Sequence, residues 1–144
     1  MLWFEAEQHI KTRLVAVVPS GVLVFSAADL AGVEEKSQYT PAVHVLYRQY
    51  DVVKRVSPGK ARIRQTWWVT IAVREETNQI TGEKTRAAAS QLIGTVVENL
   101  DGYKLPIVGS SALELINGGQ AVFSAGYMYL PIGFSLELTI NGVC

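Results

Sequence analysis

The stretch "RIRQTWWVTIAVREE", residues 62–76, alternates as a β-strand does and sets two tryptophans side by side. Successive side chains of a strand leave on opposite faces, so Trp67 and Trp68 cannot enter the same core. One face takes Ile63, Trp67, Val69, Ile71 and Val73 and belongs inside. The other takes Arg62, Arg64, Thr66, Trp68, Thr70 and Arg74, and is polar except for Trp68. What covers Trp68 is the first question the sequence poses. Just upstream, "AVHVLYRQYDVVKRV" (residues 42–56) is rich in β-formers and runs into Ser57-Pro58-Gly59-Lys60, a turn sequence. The two strands are expected to form a long hairpin with its tip at Pro58-Gly59.

Outward from the hairpin the periodicity changes. Trp3, Ala6, Ile10, Leu14 and Val17 recur at helical spacing, and Pro19-Ser20-Gly21 ends the pattern. "GVLVFSAADL" (residues 21–30) reads as a short strand and "GVEEKSQYTP" (residues 32–41) as a polar loop. Beyond the hairpin a helix is expected from about Glu83 to Leu100. Its stripe is Ala88, Ala89, Leu92, Ile93, Val96 and Leu100, and Asp101-Gly102 supplies the stop. Lys104 to Gln120 reads as irregular. Ala121 to Ile140 reads as one or two closing strands, with Pro131 and Gly133 marking an edge or a bulge. This order predicts an α+β fold: a mixed or antiparallel sheet with a long β-hairpin, flanked by an N-terminal helix and a second, alanine-rich helix. Residues 1–144 suit a single domain.

Composition narrows the function classes. Thirteen Lys and Arg balance thirteen Asp and Glu, so the formal net charge is zero. A protein held to nucleic acid by phosphate contacts usually carries a basic excess. Near-zero charge protects poorly against self-association, which suits a component of an assembly. Cys144 is the single cysteine, so no internal disulfide forms. The start "MLWFEAEQHIKTR" carries two acids and no basic segment ahead of an apolar run, so it does not read as a signal peptide. The apolar stretches at residues 14–33 and 121–140 are broken by Pro19, Asp29, Pro131 and Glu137, so a soluble chain without membrane spans is expected.

No reactive constellation emerges. His9 and His44 have no Cys, His or acid at metal-ligand spacing, and His44 between two valines reads as a surface or hydrogen-bonded strand residue. Gly109-Ser110-Ser111 lacks the G-x-S-x-G spacing of a nucleophile elbow. Gly118-Gly119 belongs to no phosphate-binding pattern. Glu34-Glu35 and Glu75-Glu76 are adjacent pairs that diverge rather than converge. The expectation is a non-enzyme without catalytic, cofactor or metal residues.

The informative residues point to contacts. Lys54, Arg55, Lys60, Arg62 and Arg64 flank the hairpin tip and read as five cations without a balancing acid. They read either as solvated charges that keep a strand edge from aggregating or as an arm that docks on an acidic partner. Trp68, with Arg62, Arg64 and Arg74 on its face, is either covered by one of the chain's own helices or anchors a subunit contact. Tyr127 and Tyr129 on the closing strand are further contact candidates.

Three segments together resemble a known family: "YTPAVHVLYRQYDVV…RIRQTWWVTIAVRE", "GEKTRAAASQLIGTVVENLDGY" and "FSAGYMYLPIGFSLEL". Each is similar to the tail terminator proteins of long-tailed bacteriophages and prophages, as found in Mu-like phages. The carrying features are the Thr-Pro before the hairpin, the double aromatic, the alanine-rich helix closed by Gly-aromatic, and the Y-x-Y-x-P strand. Many relatives close that helix with Gly-Trp, where this chain has Gly102-Tyr103. The resemblance implies a compact α/β subunit of a homohexameric ring on the head-proximal end of the virion tail, assembled in the host bacterial cytoplasm. Such a ring stops polymerisation of the tail tube protein and offers a surface to neck or head-completion proteins, with the sheath a further candidate neighbour. DNA would pass through without specific binding, and no membrane is involved. Within that family the subunit or tube contact becomes the favoured reading of Trp68. A tail-completion or connector protein at the same junction is the nearest alternative. A small-ligand-binding α+β domain would need a convergent polar cluster, which the sequence does not offer.

Overall fold

A computed structural model describes residues 2–26, 40–74, 79–124 and 126–142, with only the backbone described for 79–85. The elements in order are α1 (Glu5–Val17), β1 (Leu23–Ser26), β2 (Ala42–Ser57), β3 (Lys60–Arg74), α2 (Gln79–Leu100), β4 (Glu114–Ile116), β5 (Val122–Ser124) and β6 (Tyr127–Asn141). The expected loop at residues 32–41 lies outside the described residues except for Thr40 and Pro41, and so do Glu34-Glu35 and Glu75-Glu76.

The strands form one mixed sheet in the order β1-β2-β3-β6-β4, with β5 also paired to β6. β1 runs parallel to β2, and the other pairings are antiparallel. The hairpin is as the sequence predicts: β2 and β3 turn at Pro58-Gly59, where Gly59 takes φ +77°, a left-handed conformation that costs glycine little. The Gly142 N–H donates to the Gly59 carbonyl and ties the tip to the end of β6.

Alternation puts the core on one face of the sheet. Ile63, Trp67, Val69, Ile71 and Val73 are all buried, and their β6 partners include Phe134, Leu136 and Leu138. Ala6, Ile10 and Leu14 of α1 and Ala89, Leu92, Val96 and Leu100 of α2 complete the same cluster. Both helices therefore supply their apolar stripes to the Trp67 face. Arg13 links them, its Nε donating to the Asn99 carbonyl at 3.2 Å and its guanidinium lying 4.4 Å from the Tyr103 ring centre. α2 stops as expected: Gly102 takes φ +81° and donates its N–H to Leu113 O at 2.7 Å.

Three local expectations need correction. Ala88 is exposed and is not part of the α2 stripe. The segment 104–120 contains a strand, β4, too short to show a period. Pro131 and Gly133 lie in a central strand: β6 pairs with β3 without interruption from Lys60↔Asn141 to Arg74↔Tyr127. Proline is tolerated there because on its other side β6 pairs with β5 only at residues 127–129 and with β4 only at 133–135. Pro131 falls in the gap, where no ladder needs its missing N–H.

Candidate functional site

The face opposite the core carries most of the residues singled out by sequence. Along β3 it presents Arg62, Arg64, Thr66, Trp68, Thr70, Ala72 and Arg74, and the register adds Leu46 and His44 from β2. It also adds Glu137, Ser135, Gly133, Pro131, Tyr129 and Tyr127 from β6. At about 3.4 Å per residue the stripe from Arg62 to Arg74 is roughly 40 Å long. The candidates share a face but form three groups along it.

Trp68 is in the middle, half-buried, between Leu46 and Gly133 in register. Its cover is a glycine loop of this chain. A Cβ placed on Gly119 would stand 2.8 Å from Trp68 Cη2 and 2.9 Å from Pro131 Cγ. One placed on Gly133 would stand 2.6 Å from the Asn117 carbonyl oxygen, and one on Gly118 would collide with the Pro131 carbonyl. The three glycines let the loop 117–119 lie directly on the sheet and against the indole. The Arg48 guanidinium sits over the ring as well, 4.0 Å from its centre, a stacking that typically contributes about 0.5–2 kcal/mol. Arg48 is the extra residue of a β-bulge, between the pairs Tyr47↔Trp67 and Gln49↔Thr66, and such bulges re-aim side chains. The idea that a helix of the chain covers Trp68 is thus corrected: both helices pack on the other face.

Toward the hairpin tip stand Arg62 and Arg64. Arg62 Nε is 3.4 Å from Glu137 Oε1, and its Nη1 donates to Gly109 O at 2.6 Å and to Thr139 Oγ1 at 2.8 Å. Arg64 Nη2 lies 3.4 Å from Glu137 Oε2. The expectation of cations without a balancing acid is therefore corrected: β6, more than seventy residues further along the chain, supplies Glu137, and Asp51 of β2 is the register partner of Arg64. Lys54 is paired in register with Arg62, Arg55 with Ala61 and Ser57 with Lys60. Lys54, Arg55 and Lys60 are exposed, and no ion pair of theirs is found among the described residues.

At the opposite end Arg74 is exposed and paired in register with Tyr127. The Tyr127 and Tyr129 rings lie 6.3 Å apart in a tilted arrangement. Between this group and Trp68, His44 is buried against Phe25, whose ring centre is 5.7 Å away. Among the described residues His44 Nε2 has no hydrogen-bond partner, and burial holds its pKa below the ordinary 6.5. It is neither a surface nor a fully hydrogen-bonded residue, as the alternation with two valines had suggested.

Sequence reasoning missed Arg48, Glu137 and the loop glycines. Only Gly118-Gly119 left a signal, since adjacent glycines often mark a close backbone approach. The arrangement as a whole offers shape and charge rather than reactive groups. Among the described residues no three His, Cys, Asp or Glu side chains are grouped to hold a metal ion, and no helix is long and apolar enough to cross a membrane.

Comparison with known proteins adds two findings. The family model for phage tail terminator proteins matches residues 3–142. Among solved structures, a chain of the virion of a native gene transfer agent particle is 15% identical, with 92% of this chain and 93% of that chain covered and a TM-score of 0.57. At that identity the likeness is one of fold. No curated protein matches the chain.

Proposed function

The chain belongs to the phage tail terminator family, structural proteins of the virion tail, and from that premise we propose that it closes the head-proximal end of the tail tube as a homohexameric ring. The ring stops addition of tube subunits and leaves a docking surface for neck or head-completion proteins. It acts by contact and not by catalysis. The observation that carries this reading is the family match across nearly the whole chain.

The sheet face described above supports the reading. Trp68 is half-buried, so its own loop leaves part of the indole available to a neighbour. A large aromatic between arginines has the composition of an interface anchor. Arg74, Tyr127 and Tyr129 extend the same face at one end, and Arg62, Arg64, Lys54 and Lys60 extend it at the other, with Arg55 on the reverse of the tip. A neutral chain also suits a ring that lets DNA pass, because each engaged phosphate would add a salt-dependent hold.

The test is genetic and structural. In cells producing phage without this protein, electron microscopy should show tails of uncontrolled length that do not join heads, and complementation should restore both. Tails of normal length, joined to heads, would overturn the proposal.

A further inference from the structure

The two edges of the sheet differ, and they are complementary. Among the described residues β2 has a neighbour on its outer side only from Ala42 to Val45, where β1 lies. From Arg48 to Ser57 every residue of β2 is exposed. Three bulges interrupt this stretch, at Arg48, Val53 and Val56, a pattern that resists indiscriminate strand pairing. The edge is nonetheless apolar as well as basic: Val53 is 42% and Val56 53% exposed, next to Lys54 and Arg55. The far edge, formed by β4 and β5, exposes Leu115 and Phe123, the latter by 63%. Its charges are acidic. Glu114 is exposed on β4, and Asp101 Oδ1 accepts the Leu115 N–H at 3.0 Å.

Two segments of the chain show the same contrast. Residues 48–74 hold seven of the thirteen Lys and Arg and a single acid, Asp51. Residues 95–144 hold four acids and a single base, Lys104. A chain of zero net charge split in this way has its own second copy as an electrostatically complementary partner. Glu137 is already engaged by Arg62 and Arg64 and Glu98 belongs to α2, which leaves Glu114 and Asp101 to meet Lys54 and Arg55.

We propose that the edge of β2 around Val53–Arg55 docks on the β4 corner, Glu114 and Leu115 with Asp101 beside them, of a second copy. This rests on the ring reading above and identifies its contact. Because the two surfaces differ, the contact is head-to-tail, the kind that can close a ring.

The test uses two full-length variants, Lys54→Glu with Arg55→Glu in one and Glu114→Lys in the other. Association is read by native mass and sedimentation, alone and after adding tail tubes, with thermal melting as the check on folding. Each variant alone should associate more weakly by about tenfold or more. An equimolar mixture should recover, since each reversed edge then meets a reversed corner. Should a reversal unfold the chain, Lys54→Gln with Arg55→Gln carries the comparison through a flatter dependence of association on salt. Folded variants that associate like wild type, or a mixture that fails to recover, would overturn the contact while leaving the ring reading intact. Loss of tube binding with self-association unchanged would also overturn it, assigning this edge to the tube protein. A wild-type chain that stays monomeric even on tubes would overturn both readings.

Discussion

Trp67 enters the core carrying a polar N–H, and Gln65 provides its partner. Trp67 Nε1 donates to Gln65 Oε1 at 3.2 Å, and Gln65 Nε2 donates to the Trp3 carbonyl at 2.8 Å. A fully buried glutamine thereby satisfies the indole and fastens the start of the chain to β3. Trp67→Ala should cost about 3–5 kcal/mol as a large core truncation. Gln65→Ala should cost about 1–3 kcal/mol, because it leaves the indole N–H buried without an acceptor. Urea unfolding measures both, and a loss under about 0.5 kcal/mol for Gln65→Ala would contradict the bridge. His44 makes a prediction in pH. Its folded pKa is lowered by burial, so the unfolded chain takes up its proton first as pH falls. The contribution of the neutral imidazole is complete above about pH 6.5 and is lost as pH drops toward the folded value. His44→Leu should flatten the fall of the urea midpoint between about pH 7 and pH 5. An equal slope in both proteins would mean that other groups set it.

At the scale of elements, the hairpin was legible because period-two alternation and a Pro-Gly turn are local signals. Its neighbours were not. The partner of Arg62 and Arg64 is on β6, and β4 has only three residues. The bulges that place Arg48 over Trp68 depend on register rather than composition. For the same reason the cover of Trp68 could not be read from Trp68: it is set by how closely Asn117–Gly119 approaches β6. Gly118→Ala tests this cover. Its Cβ would meet the Pro131 carbonyl, a backbone atom that cannot swing aside, so the loop should lift. The expected result is a stability loss of about 1–3 kcal/mol and stronger acrylamide quenching of tryptophan fluorescence. Unchanged stability and quenching would place the cover elsewhere.

On the scale of the whole molecule, neutrality conceals a separation of charge between the hairpin and the C-terminal third. Composition showed the balance, but the fold was needed to put the two charges on opposite sheet edges. Most cations at the tip are on the face or edge that we assign to protein neighbours, so duplex DNA binding at physiological salt should be weaker than roughly micromolar. Tight, steeply salt-dependent binding would instead make the hairpin a DNA contact. The central claim, that this chain ends the growth of a tail tube, is tested most directly by elongation. Tail tubes grown in vitro are incubated with the purified protein and then given fresh tube subunits, and their lengths are measured by electron microscopy. The account predicts that tubes bearing a ring of this protein at one end keep their length at that end, while untreated tubes lengthen. Treated tubes that lengthen as untreated ones do, with the protein bound or not, would contradict it.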